Sequence, residues 1–118
     1  MKILIVDDDE IHLLLTKLEL KDERWQVITA SNGQEGMELF DSEKPDLAIV
    51  DVKMSGMDGI TLLKKMKERR PEIPVAIFTG YDKRALSLPN EADAFVVKSS
   101  SYKELNEFVR RYGQKNKW

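Results

Sequence analysis

The sequence predicts an α/β protein built on an open, doubly wound, five-stranded parallel sheet with helices on both faces. Three observations predict it. Short apolar runs of strand length recur at 3–6, 47–50, 75–78 and 94–97. Segments with helical apolar spacing lie between them, and strands that alternate with helices form a parallel sheet through right-handed crossovers. The chain has 118 residues, which is one domain over residues 1–118, with a single core and covering helices.

The first strand, Ile3-Leu4-Ile5-Val6, is apolar throughout, as a strand buried on both faces must be. It stops on Asp7-Asp8-Asp9-Glu10. Asp9 is placed to cap the next helix, in which Ile11, Leu14, Leu15 and Leu18 recur at i, i+3, i+4 and i+7. The second strand, 25–30, has mixed polarity and suits a sheet edge. Ser31-Asn32-Gly33 turns the chain, and Asn32 with Glu35 resembles a capping box for a helix running to about Ser42. Gly36 inside that helix costs about 1 kcal/mol relative to Ala. Lys44-Pro45 breaks it, and residues 46–50 form the third strand. Asp58 is placed to cap a helix carrying Ile60, Leu63 and Met66, which Arg70-Pro71 ends. The fourth strand, 75–78, stops on Thr79-Gly80. Residues 82–91 have weak helical periodicity and contain Pro89, so a short or irregular helix is expected. The fifth strand, 94–97, ends on Lys98. Ser101 with Glu104 caps a last helix that buries Tyr102, Leu105, Phe108, Val109 and Tyr112, and a short tail follows from Gln114. This pattern is that of a flavodoxin-like fold, with 2-1-3-4-5 as its expected strand order.

Composition removes several classes of function. There are no cysteines, which excludes disulfides, thiol catalysis and thiolate metal sites. The net charge of -2 gives no general attraction to nucleic acid or acidic lipid. The apolar N-terminal run is too short for a signal peptide, and no stretch is long enough to span a bilayer. A cytoplasmic protein with no membrane contact and no direct nucleic-acid contact is expected.

Four apolar strands end directly on chemistry-bearing side chains: Asp7 and Asp8, Asp51, Thr79 and Lys98. In a parallel sheet those ends share one edge, the edge at which ligands bind in open α/β sheets. Three carboxylates held close repel, so they need a cation, or one must be protonated. Oxygen ligands without His or Cys favour Mg²⁺. Asp8 and Asp51 are the expected direct ligands, with Asp7 acting through a water and the backbone carbonyl of Lys53 completing the protein's share. A carboxylate is also a nucleophile toward phosphorus, and phosphoryl transfer asks mainly for positioning and charge neutralisation. Asp51 is therefore the expected phosphoryl acceptor. Lys98 would offset charge on the phosphoryl oxygens, and Thr79 would donate to one of them. His12, the only histidine, lies on the first helix and is read as having no catalytic role.

These residues carry a resemblance over essentially the whole chain. Ile5-Val6-Asp7-Asp8, Asp51 with Met54 and Gly56-Met57-Asp58-Gly59, Phe78-Thr79-Gly80 and Phe95-Val96-Val97-Lys98 together resemble a response-regulator receiver domain of two-component signalling. The resemblance implies that Asp51 accepts a phosphoryl group from the histidine of a sensor kinase or phosphotransfer protein. It implies that Asp7 and Asp8 are the acidic pair for Mg²⁺, and that Thr79 and Lys98 contact the phosphoryl group. Phe95 falls on the aromatic switch position, whose ring packs inward as Thr79 shifts. Such domains dephosphorylate themselves slowly by water attack, which makes them signalling proteins rather than conventional enzymes. No output segment follows Tyr112 in this sequence, so a stand-alone receiver acting by protein contact or phosphate relay is expected.

Three departures stand out. Ser99 replaces the family's usual proline after the lysine, so the Lys98–Ser99 bond is expected to be either trans with a rearranged loop or cis under strain. Ser55 replaces another common proline. Only fifteen residues separate Thr79 from Phe95, which shortens the segment forming the usual output face. The competing reading is a small haloacid-dehalogenase-like phosphohydrolase with Asp7 as nucleophile. Asp7-Asp8-Asp9 contains the required Asp-x-Asp, but no later acidic pair follows and Asp51 is left without a role. An FMN-binding flavodoxin is disfavoured, because four acids stand where its phosphate loop should be.

Overall fold

A computed structural model describes residues 1–80, 91–98 and 102–115, with side chains as far as Tyr112. Each predicted strand forms: β1 (Lys2–Val6), β2 (Gln26–Ala30), β3 (Leu47–Val50), β4 (Val75–Thr79) and β5 (Ala94–Val97). The helices described are α1 (Glu10–Glu19), α2 (Gly33–Glu43), α3 (Gly59–Arg69) and α4 (Lys103–Lys115). Thus α4 continues past Gln114, where the sequence suggested a tail. The predicted helix at 82–91, the Ser101 cap and the Lys98–Ser99 bond lie outside the described residues.

All strand pairs are parallel, and the order is β2-β1-β3-β4-β5. The pleat sends alternate residues to opposite faces. Leu4, Val6, Ala48, Val50, Val75 and Ile77 point to one face and pack with Phe40 of α2 and Leu62, Leu63 and Met66 of α3. Ile3, Ile5, Leu47, Ile49, Ala76 and Phe78 point to the other and pack with Leu13 of α1 and Leu105, Phe108 and Val109 of α4. Burial on both faces explains why β1, β3 and β4 read as unbroken apolar runs. β2, at the edge, is only partly buried.

The predicted caps are in place. Asp9 accepts from the N–H groups of Ile11 and His12, Asn32 from Glu35, and Asp58 from Thr61. Glu35 reaches back to the N–H of Ser31 at 2.7 Å, one residue before the cap. Gly36 has a packing reason for its helical cost. A Cβ there would stand 3.0 Å from Cγ2 of Val6, a contact so tight that the Val6 side chain would have to give by a few tenths of an ångström.

One element is turned around relative to its sequence pattern. An i, i+3, i+4, i+7 apolar stripe ordinarily faces the core. On α1 the sheet is covered by Leu13, Thr16 and the C-cap residue Leu20, all buried. Ile11, Leu14, Leu15 and Leu18 face outward and are 70%, 58%, 45% and 57% exposed. They are the large hydrophobic residues left exposed among those described.

This inversion makes a direct prediction for stability. Leu14→Gln and Leu18→Gln should change the free energy of urea unfolding by no more than about 0.5 kcal/mol, as surface positions do. Leu13→Ala should cost about 2–5 kcal/mol. Large losses at Leu14 and Leu18 would mean that their face is covered.

Candidate functional site

The sheet hydrogen bonds that end β1 and β3 also seat the acids. The Asp7 N–H donates to the Ala30 carbonyl at 3.1 Å, and the Asp51 N–H donates to the Val6 carbonyl at 3.0 Å. The backbones of both acids are thereby fixed by the strands they terminate. On the other side of β3, Val50 pairs with Ile77 and Thr79 with Val97. The N–H of Lys98 donates to the Thr79 carbonyl at 2.7 Å. Four strand ends therefore deliver their residues to one edge.

There the side chains converge. One carboxylate oxygen from each of Asp7, Asp8 and Asp51 lies within 4.8 Å of the other two. The Lys98 ammonium donates to Oδ2 of Asp7 at 2.5 Å and to Oδ2 of Asp51 at 2.9 Å. Asp7 and Asp51 are buried, whereas Asp8 is exposed and accepts at Oδ2 from the Ser55 N–H at 3.1 Å. Asp7 also accepts from the N–H of Asp9 at 2.9 Å. His12 Nδ1 lies 4.0 Å from Asp7 Oδ2.

Burial pushes the Asp7 carboxyl above its ordinary value, and the charge of Asp51 adds to this. The bonds from Lys98 and Asp9 only partly offset it. Burial works against the Lys98 ammonium too, but its hydrogen bonds to Asp7 and Asp51 prevail and its pKa is raised. The ion pair favours the charged form of both partners. Asp7 still ends above its ordinary value, because its burial outweighs those bonds and the nearby Asp51 charge adds a smaller push in the same direction. A single ammonium does not neutralise three acids, and the donor set is three hard oxygens with no sulfur. Those residues fit a Mg²⁺ ion in chemistry and in charge.

The loop after Asp51 is held by backbone contact. The Gly59 N–H donates to the Val52 carbonyl at 2.8 Å, and a Cβ on Gly59 would fall 1.8 Å from the Asp51 carbonyl oxygen. Only glycine lets α3 begin directly against the residue that ends β3.

Asp7, Asp8, Asp51 and Lys98 thus come together as the strand ends suggested. Thr79 closes β4 at the same edge and is fully buried. Phe95 is partly buried and packs against the core of the α2–α3 face, with Ile77 as its cross-strand partner. Lys53 is exposed two residues beyond Asp51. Three contacts escaped the sequence reading: Ser55 on Asp8, His12 beside Asp7, and Gly59 against Asp51. Gly59 carried a signal, a glycine at the first helical position after a cap. The other two join residues distant in sequence or one helical turn away and carried none.

With this geometry, a family model for the response regulator receiver domain matches residues 3–110, and the chain belongs to that family. It is a receiver domain of the two-component response regulators. Similar proteins include the alkaline phosphatase synthesis transcriptional regulatory protein PhoP of Bacillus subtilis, 35% identical over 112 residues, which are 92% of this chain and 47% of PhoP. Sporulation initiation phosphotransferase F of the same organism is 44% identical over 81 residues, 68% of this chain and 64% of that protein. The chain spans about half the length of PhoP and under two thirds of the phosphotransferase. The response regulator TrrA of Thermotoga maritima, solved with Mg²⁺-BeF, matches with TM-score 0.87 at 33% identity, over 94% of this chain and 97% of that one. TrrA in complex with the histidine kinase ThkA matches with TM-score 0.85 at 32% identity, over the same 94% and 97%.

The raised Asp7 carboxyl fixes the sign of a pH effect in metal-free protein. Its ionised form opposes folding above the raised pKa, and that penalty is relieved as pH falls through the raised value toward the ordinary 3.8. In EDTA, the Tm of the wild type relative to Asp7→Asn should therefore rise as pH is lowered from neutral toward 4. A difference that stays flat or falls would show that the Asp7 carboxyl is not held above its ordinary value.

Proposed function

We propose that the chain is a phosphorylatable switch in which Asp51 takes a phosphoryl group from a phosphohistidine of a sensor kinase or phosphotransfer protein. The observation that carries this reading is the convergence of three acids with one ammonium at the strand ends. In the transfer, an Asp51 carboxylate oxygen bonds to phosphorus. The N–P bond of the phosphohistidine breaks, and its electron pair returns to the imidazole. Mg²⁺, when bound by Asp7, Asp8, Asp51 and the Lys53 carbonyl, supplies charge neutralisation to the phosphoryl oxygens. Lys98 already bonds Asp51 and sits where an ammonium can follow a phosphoryl group formed there. Thr79, at the neighbouring strand end, donates its hydroxyl, and Phe95 responds as Thr79 moves. Water attack on the acyl phosphate returns Asp51 to its free form. The output is altered contact with a protein target rather than direct contact with nucleic acid, in the cytoplasm.

The exposed face of α1 supports a helical phosphodonor. α1 starts at Glu10, directly after the acidic loop, so the exposed apolar stripe of Ile11, Leu14, Leu15 and Leu18 begins four residues along the chain from Asp7. Its i, i+3, i+4, i+7 spacing suits docking against other helices. TrrA, solved with the kinase ThkA, supports the same class of partner.

Two measurements test this. Incubation with acetyl phosphate and Mg²⁺ should give one phosphoryl adduct by intact mass, mapping to Asp51 and absent in Asp51→Asn. An adduct on Asp7 would favour the hydrolase reading instead. In phosphotransfer from a purified cognate kinase, Leu14→Glu/Leu18→Glu should slow labelling by roughly tenfold or more, as loss of central apolar anchors does. Its labelling by acetyl phosphate should be unchanged. Equal slowing with both donors would place the fault in the acceptor site rather than in docking.

A further inference from the structure

Asp8 differs from the other two acids of the cluster. It lies on the loop after β1 and is exposed, whereas Asp7 and Asp51 are buried at strand ends. An exposed carboxylate on a loop has rotamer freedom that is lost when a cation is bound. One contact restricts it beforehand. The Ser55 N–H donates to Asp8 Oδ2 at 3.1 Å, and the Ser55 hydroxyl lies 3.5 Å from the same oxygen. The two residues are 47 positions apart, and their contact ties the loop after β1 to the loop after β3. Those loops adjoin the acids of the cluster.

The geometry points to Ser55 as a positioning residue for the divalent-cation site: its main-chain N–H holds the Asp8 carboxylate within reach of Asp7 and Asp51 before the cation arrives. This rests on reading the cluster as that site. The bond does not compete with the cation for Asp8. A carboxylate has about four lone-pair sites over its two oxygens, and one N–H occupies one of them. The acceptor is a carboxylate, which makes the bond charge-assisted, and the donor is part of the backbone, so it orders Asp8 without ordering a second side chain. Proline, common at this position in the family, has no N–H to give. The serine therefore supplies this chain with a link that a proline-bearing relative lacks, and it is the N–H rather than the hydroxyl that matters.

Two substitutions separate the N–H from the side chain. Ser55→Pro removes the donor, and Ser55→Ala keeps it while removing the hydroxyl. In calorimetric Mg²⁺ titrations at fixed pH and ionic strength, Ser55→Pro should bind more weakly by roughly tenfold or more, as loss of an outer partner of a metal ligand does. Ser55→Ala should stay within about twofold of the wild type. Matched Tm values in EDTA exclude general unfolding. In an Asp8→Ala background, Ser55→Pro should add no further loss. Without any metal, Asp8→Ala should move the Ser55 amide proton upfield in the NMR spectrum. Unchanged affinity in Ser55→Pro, equal losses in the two variants, or a full proline effect without Asp8 would each overturn the proposal. A wild type that binds no Mg²⁺ but still shows the Asp8-dependent amide shift would overturn the cation-site reading and this role with it, and would leave the hydrogen bond itself established.

Discussion

The Lys98 ammonium between Asp7 and Asp51 is the interaction on which the rest of the site depends. Parallel strands that each end on an acid bring like charges together whether or not that favours folding. At such separations the repulsion is roughly 3–4 kcal/mol at an effective dielectric of about 20. Lys98 arrives from β5, two strands beyond β3, and its backbone is tied to Thr79. The counter-charge is thus a product of the topology. One ammonium is still fewer charges than three acids carry, and burial keeps the Asp7 carboxyl above its ordinary value despite the Lys98 bond. An acid-rich edge of this kind fits a divalent cation in charge and in donor chemistry.

Much of the fold was legible because burial on both faces leaves little choice of residue. β1, β3 and β4 are uninterrupted apolar runs for that reason, and their limits fall within about one residue of the expected positions. The caps Asp9, Asn32 and Asp58 were legible too, since each satisfies the free N–H groups of a helix start within three residues. What periodicity could not reveal was direction. The stripe on α1 has the spacing of a core face, yet Leu13, Thr16 and Leu20 meet the sheet instead. A pattern reports that one side of a helix is apolar, and the protein's other obligations decide which side is buried.

The candidate site was legible where strand ends alone determine position, as for Asp7, Asp51, Thr79 and Lys98. It was illegible where loops fold back. Ser55 reaches Asp8 only because two loops meet above the sheet, and nothing in the local sequence announces that meeting. His12 approaches Asp7 because one turn of α1 leads back over the acidic loop. Gly59 lies between these cases: its identity was visible, but its reason, the Asp51 carbonyl against its Cα, was not.

The tight seating of Gly36 on Val6 has a consequence away from the helix that contains it. Val6 is the last residue of β1 and the one to which the Asp51 backbone is bonded, and Asp7 follows it directly. A methyl group grown on the far layer would press on the single residue that both buried acids share as a footing. Variation that is silent in charge, remote from any solvent-facing chemistry and conservative by size can therefore reach the strand end that seats both acids, through the packing of α2 on β1.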